Sequence, residues 1–226
     1  MMTVFYEVHS GLYVNLTNKC PCACTFCLRK TMESVGGSGP LWLDHAPSRE
    51  EVFAALDEQD LPKYDEVVFC GFGEPTEAFE LLKETAAEIK RRRDIPIRLN
   101  TNGLGCLVNG RDIVPEMAGL IDVVSISLNT PDPEEYYNIV RPRFGRESHA
   151  EMLRFAARCA EVIPKVVLTT VDTTITREEE EEEAEEEGRR EEKGGWSERS
   201  ERMLDSGEGG REEVIDSHLT HKYHHK

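Results

Sequence analysis

Four short apolar runs, at 66–70, 95–101, 122–128 and 165–171, each stop at polar or glycine residues and are separated by stretches with helical spacing. No other feature restricts the fold as much. A run that is apolar on both alternating faces has to be covered on both sides, the habit of parallel strands rather than of a half-solvated hairpin. The stretches between suit helical crossovers. Ser48-x-x-Glu51 is a capping box ahead of Val52, Phe53, Ala55 and Leu56, and apolar residues at 78, 79, 81, 82, 86 and 89 share one helical face. Asp132-Pro133 has the chemistry of a helix start, and Ser148-x-x-Glu151 repeats the capping box before Met152, Phe155, Ala156 and Cys159. A shorter helical stretch is expected at 113–120. Ahead of all these, 4–8 and 12–16 read as two strands around His9-Ser10-Gly11, with His9 at the surface of the turn. The predicted class is α/β with parallel strands, in which chemistry collects at the carboxyl ends of strands. Cys20, Glu74, Asn102, Asn129 and Asp172 each lie just past an expected strand, so one mouth would gather them.

The second strand runs into Asn18-Lys19-Cys20-Pro21-Cys22-Ala23-Cys24-Thr25-Phe26-Cys27, which holds four of the seven cysteines. Cys20, Cys24 and Cys27 are spaced C-x3-C-x2-C. Three thiolates so close repel one another, so the pattern persists where a metal or cluster holds them, or where they oxidise. Iron–sulfur clusters take cysteine thiolates, four in the closed case. Three ligands leave one iron open, and an open position is where a small molecule binds and reacts. Zinc on Cys20 or Cys22 with Cys24 and Cys27 is the competing reading, although no second C-x2-C pair supplies a fourth ligand. A disulfide framework suits neither the odd cysteine count nor the chain's size. Cys22 is left as a bystander, an alternative ligand or an oxidation liability. Cys70 and Cys159 are expected in the core, and Cys106 is the leftover thiol placed to face a substrate.

Gly71-Phe72-Gly73-Glu74-Pro75-Thr76 follows the 66–70 run. Two glycines around an aromatic allow close backbone approach to a ligand, and Glu74 offers an anionic acceptor for an ammonium group. An ordinary strand-to-helix turn with a solvated glutamate is the alternative. The glycine-rich 33–40 stretch reads as a mobile loop over the site, with Trp42 and Leu43 anchoring its return. It lacks the Gly-Lys-Ser/Thr ending of a phosphate-binding loop.

With Phe26 as the aromatic before the last cysteine, the loop resembles the signature of the radical S-adenosylmethionine (SAM) superfamily. Tyr13-Val14-Asn15-Leu16-Thr17-Asn18-Lys19-Cys20, taken with the 71–76 segment, is most similar to the TatD-family-associated radical SAM proteins, over roughly residues 4–172. The resemblance implies an α/β fold of partial TIM-like (βα)6 barrel type, spanning residues 1–176 and incomplete at its C-terminal end. It implies a 4Fe-4S cluster on Cys20, Cys24 and Cys27, with S-adenosyl-L-methionine at the open iron. Phe26 counts among the cofactor-binding residues. Glu74 and the backbone around Phe72 and Gly73 would take the methionine amino group. Thr101, Asn102 and Gly103 would line the adenosyl or substrate side, and Ser127 and Asn129 would contact ribose or carboxylate, although such residues also cap and turn strand ends. Arg141 or Arg143, a basic pair in an acidic chain, would hold the SAM carboxylate or an anionic substrate, or would form a surface ion pair.

The implied activity is reductive cleavage of SAM to a 5′-deoxyadenosyl radical that abstracts hydrogen from an unknown substrate. An electron donor such as flavodoxin or ferredoxin would serve it. A glycyl-radical activating enzyme is the alternative, as is a non-catalytic metal-binding protein should the missing end disable the fold.

The net charge of −17 divides almost evenly, −9 from residues 177–226 and −8 from the rest. That last segment is acidic, of low complexity and contains only eight apolar residues, too few to bury the area that ordering it requires, so a disordered tail is expected. Composition changes abruptly at Thr176, which suggests that the natural ending has been lost, for instance through a frameshift. The edge of the last strand would then be exposed. His218, His221, His224 and His225 would bind metal only adventitiously. An acidic balance argues against an obligatory nucleic-acid partner. With no run of eighteen apolar residues and no leader pattern, the expectation is a cytoplasmic protein that does not use a membrane.

Overall fold

The computed structural model describes residues 2–35, 37–171 and 210–214. Strand β1 (Phe5–Val8) turns at His9, exposed and at φ 50°, into the antiparallel β2 (Gly11–Val14). Strand and helix then alternate as α1 (Arg49–Asp57), β3 (Glu66–Phe69), α2 (Phe79–Arg92) and β4 (Ile97–Thr101). After the short helices α3 (Gly105–Asn109) and α4 (Val114–Met117) come β5 (Val123–Asn129), α5 (Pro133–Val140), α6 (Ser148–Val162) and β6 (Lys165–Val171). Strands β2 to β6 pair in parallel and in chain order, with Val14 beside Phe69, Phe69 beside Leu99, Leu99 beside Val124 and Ile126 beside Leu168. The expected parallel α/β arrangement is therefore what forms.

An unpaired strand edge presents a row of N–H and C=O groups to any extended segment. On β6 that edge is taken by β7 (Gly210–Val214), antiparallel, with Val214 opposite Val167. The edge expected to lie bare is thus covered along 167–171. The rest of 172–226, including Asp172, the acidic run and the four histidines, falls outside the described residues.

Alternation along the strands sorts side chains between two faces. Leu12, Val14, Val67, Phe69, Ile97, Leu99, Val124 and Ile126 point to the helices and pack with Leu56, Leu82, Ile89, Met152 and Phe155 in the main core. Each fully buried side chain of this kind contributes about 1.5–3 kcal/mol, so this layer dominates the fold's stability. A smaller cluster of Tyr6, Val8, Tyr13, Val68, Phe72 and Leu41 covers the other face. Cys159 is fully buried in the main core, as expected.

Local signals decide the helix ends with one exception. The Ser48 capping box forms in both directions, Glu51 N donating to Ser48 Oγ at 3.2 Å and Ser48 N to Glu51 Oε2 at 2.8 Å. Asp132 Oδ1 accepts from Glu135 N at 2.7 Å. The box expected at Ser148 does not form. Ser148 is the first helical residue and is drawn fully into the interior, Glu147 takes the cap position, and Glu151 pairs with Arg154 instead. The 113–120 stretch shortens to α4, which ends as Ala118 leaves the helical region at ψ 128°, ahead of Gly119 at φ 75°. Among the described residues no helix is long and apolar enough to cross a membrane.

Candidate functional site

The cysteine loop leaves β2 and is fixed on three sides. On one side Asn18 holds the returning 33–43 segment, accepting from Leu43 N at 3.0 Å and donating to Leu43 O at 2.7 Å, while Asn15 Nδ2 donates to Leu41 O at 2.7 Å. Leu43 is buried there, whereas Trp42 is half exposed and rests edge-on against Phe72. On the second side the end of α5 takes up the loop's backbone. Ala23 N donates to Val140 O at 3.1 Å, Thr25 N to Ile139 O at 2.8 Å and Arg143 N to Pro21 O at 2.8 Å, and Cys22 forms a β-bridge with Pro142. On the third, Arg29 Nη1 donates to Asn18 O and Phe72 O, both at 3.4 Å, and Nη2 to Cys22 O at 3.3 Å. Arg29 was not singled out from the sequence. Its one signal is position, a cation two residues past Cys27 beside a tight loop whose carbonyls need donors.

The thiols are not gathered as the spacing alone suggests. Cys22, expected as a bystander, an alternative ligand or an oxidation liability, is buried, and interaction with the Cys20 and Cys24 thiols pushes its own thiol up. Its proximity is in turn the largest influence lowering the Cys20 and Cys24 thiols. Cys27 joins them only through its backbone, its N–H donating to Cys24 O at 3.5 Å; burial raises its thiol, opposed by Arg29. Among the described residues no three Cys, His, Asp or Glu side chains already stand in ion-holding geometry.

The 71–76 segment is built against this loop. Glu74 N donates to Lys19 O at 2.8 Å, and a Cβ on Gly73 would lie 2.1 Å from Thr17 O, so only glycine fits. Glu74 is not solvated. It is 3% exposed. Oε1 accepts from Thr76 N at 3.1 Å, Thr76 Oγ1 at 2.8 Å and Thr101 Oγ1 at 2.7 Å, and Oε2 accepts from Asn102 N at 2.8 Å. Burial pushes its carboxyl up, against the pull of these four donors. Its side chain therefore ties the ends of β3 and β4 together, and only part of Oε2 is left for a ligand. Asn102 joins the same wall: its Oδ1 accepts from Leu104 N at 3.0 Å and its Nδ2 lies 3.9 Å from Cys20 Sγ.

Phe26 and Phe72 meet across a cavity of about 250 Å³, lined also by Tyr6, Tyr13, Val35, Leu41, Cys27 and Cys70. Cys70 is thus a half-buried wall residue rather than core, because it alternates with Phe69 and points away from the helices. Ser127 and Asn129 lie further along, at the end of β5. Asn129 is buried at φ 62° beside a bulge, and its amide donates to Ser127 O at 3.2 Å, so it serves its own turn. Arg141 is exposed at φ 50°, with Nε on Asn138 O at 3.3 Å, and Arg143 is exposed and paired with Glu77 at 3.2 Å. Neither side chain has a described contact with the thiols. Cys106 packs at the margin of the helix-side core and reaches Asp112 at 3.8 Å, away from the cavity lining.

More than one buried group near the loop has no hydrogen-bond partner among the described residues, Asn15 Oδ1 being the first. Tyr136, on α5, is 1% exposed, and its hydroxyl makes no hydrogen bond among the described residues. Cys22 belongs to the same core cluster, with Cys20 and Cys24 packed against it. Soft thiol donors, an amide at Cys20, a carboxylate already engaged elsewhere and an orphaned hydroxyl suit a sulfur-rich cluster better than a hard cation.

Fold and loop together define a parallel-sheet α/β protein with a thiol site at the carboxyl edge of its sheet. Residues 14–187 match the sequence profile of the Radical SAM superfamily, and the chain belongs to that superfamily. Its members are enzymes and usually use an iron–sulfur cluster and SAM. No curated protein matches the chain significantly.

Proposed function

We propose that this chain is a radical SAM enzyme of the TatD-associated kind, whose residues 1–176 form a partial barrel. Cys20, Cys24 and Cys27 would hold a 4Fe-4S cluster, and SAM would occupy the open iron. When bound, the cluster supplies one electron to the SAM sulfonium, and cleavage to methionine and a 5′-deoxyadenosyl radical provides the species that takes hydrogen from the substrate. The observation that carries this reading is the single wall made by two motifs some fifty residues apart, joined through Glu74 N and Lys19 O and closed at Gly73. The chain's own part is to hold that wall rigid, to offer the backbone of Phe72 and Gly73 and the spare face of Glu74 Oε2 to an ammonium group, and to keep water from the aromatic cavity.

Charge supports an acidic electron carrier as partner. Of the eighteen Lys and Arg at 1–171, twelve are ion-paired; Lys19, Arg29, Lys30 and Arg141, all on or beside the cysteine loop, are among the six that make no ion pair among the described residues. A positive collar on a chain of net charge −17 favours a negative docking face.

The test is anaerobic reconstitution with iron and sulfide, followed by reduction in the presence of SAM. Iron with inorganic sulfide and formation of 5′-deoxyadenosine are expected, and Cys20→Ala, Cys24→Ala or Cys27→Ala should each lose the iron. A loaded cluster that yields no 5′-deoxyadenosine rejects the reading, and zinc without sulfide makes the chain a metal-binding module.

A further inference from the structure

Tyr136 lies one helical turn before Val140, so the two share the face of α5 that is turned to the core. Both are 1% exposed. The carbonyls of Ile139 and Val140 carry the cysteine loop, and Pro142 bridges Cys22. The tyrosine therefore sits beneath the loop with its hydroxyl in the interior. A buried hydroxyl without a partner costs about 1–3 kcal/mol, and such groups are rare enough to require an explanation. Among the described residues none accepts from it. The ring meets His149 edge-on at 5.2 Å, but His149 Nε2 is itself unpartnered, as is Ser148 Oγ. Burial raises the Tyr136 hydroxyl most, followed by electrostatic interaction with Cys22, Cys24, Glu74 and Cys20, which puts the thiols within its reach.

We infer that Tyr136 is a positioning donor for the thiol site: its hydroxyl completes its hydrogen bond on a sulfur of the cluster seated in the loop and raises that cluster's electron affinity. The inference rests on the reading under Proposed function. Hydrogen bonds to cluster sulfurs are among the factors that set reduction potential, because added negative charge strengthens them. Tyr136 touches no reacting atom; it acts through the cluster.

The decisive comparison is full-length wild type against Tyr136→Phe, both reconstituted anaerobically, with iron and sulfide analysis and a midpoint potential from a spectroscopically monitored redox titration. The variant is expected to keep its iron and to shift to a more negative potential. A second variant, with 3-fluorotyrosine at 136, retains the ring and strengthens the donor, and should shift the potential the opposite way. That pair of signs is what a merely structural tyrosine would not produce, and the fluorinated variant decides the matter if Tyr136→Phe fails to fold. Unchanged potentials in loaded protein overturn the inference and assign the hydroxyl to a buried water shared with His149 or Ser148. Absence of iron from the wild type overturns the reading beneath it, and this inference with it.

Discussion

Glu74→Gln is the substitution that most directly weighs the site's architecture. The side chains are nearly the same shape, so only hydrogen bonding changes. If the amide oxygen takes the place of Oε1 it keeps Thr76 N, Thr76 Oγ1 and Thr101 Oγ1, and the NH2 then confronts Asn102 N, a donor facing a donor where a 2.8 Å bond had been. The reversed amide is worse, since it sets the NH2 against Thr76 N and forces both threonine hydroxyls to turn from donor to acceptor. Losing a hydrogen bond to a charged acceptor costs about 1.5–3 kcal/mol and an unsatisfied buried N–H about 1–3 kcal/mol, so the sum is roughly 3–5 kcal/mol. For a domain of this size that corresponds to a fall of roughly 6–20 °C in Tm. The assay is thermal unfolding of the metal-free chain followed by circular dichroism, which keeps SAM and cluster out of the comparison. A change within about 2 °C, small against the shift expected for such a loss, would refute the claim that Glu74 is committed to joining β3 and β4.

Gly73→Ala should destabilise by about 1–3 kcal/mol or more through overpacking, because the added Cβ meets backbone at Thr17 and Lys19 that cannot swing aside; a wild-type melting curve would contradict the close approach. Lys19→Glu with Lys30→Glu should slow reduction by a flavodoxin or ferredoxin about 10-fold or more at low salt, converging with wild type at high salt, while leaving reduction by a small viologen no slower; stopped-flow traces that slow equally with both reductants would count against a docking role. Ser48→Ala should cost about 1 kcal/mol as a lost N-cap, whereas Ser148→Ala should cost little or stabilise, since its Oγ satisfies no amide; urea titrations giving equal losses would show that Ser148 caps after all.

The sheet was legible because its strands are apolar on both faces, a property written residue by residue. The run at 165–171 coincides with β6, and 122–128 differs from β5 by one residue at each end. Asp132 and Ser48 were legible as caps for the same local reason. Ser148 was not, since whether a serine caps or is swallowed depends on what packs over it, here the interior beside Tyr136 and His149. Cys70 misled because a four- or five-residue apolar run does not reveal which face each member takes. Arg29 and Tyr136 act on groups far along the chain, Phe72 O in one case and the cysteine loop in the other, and no spacing rule reports such contacts. Cys22 was visible as an extra thiol, but its burial goes with its bridge to Pro142, a tertiary pairing.

These residues explain how an acidic chain supports a loop of thiols. Bringing Cys20, Cys22 and Cys24 together on a half-buried loop would be opposed both by their mutual repulsion as thiolates and by desolvation. A surface carboxylate nearby would worsen both; the buried Glu74 is held by four donors, and its charge still raises the Cys20 thiol. Arg29 works in the other direction. Its guanidinium is held by the carbonyls of Asn18, Cys22 and Phe72 rather than by an acid, so its charge stays available to the thiols; it helps lower Cys20 and Cys24 and opposes the rise that burial imposes on Cys27. Elsewhere in the chain most cations are spent on neighbouring glutamates and aspartates. Four of the six cations without an ion pair among the described residues therefore gather at the loop, where Cys20 and Cys24 are lowered while Cys22 and Cys27 stay raised, and the same field favours a negatively charged partner at its mouth.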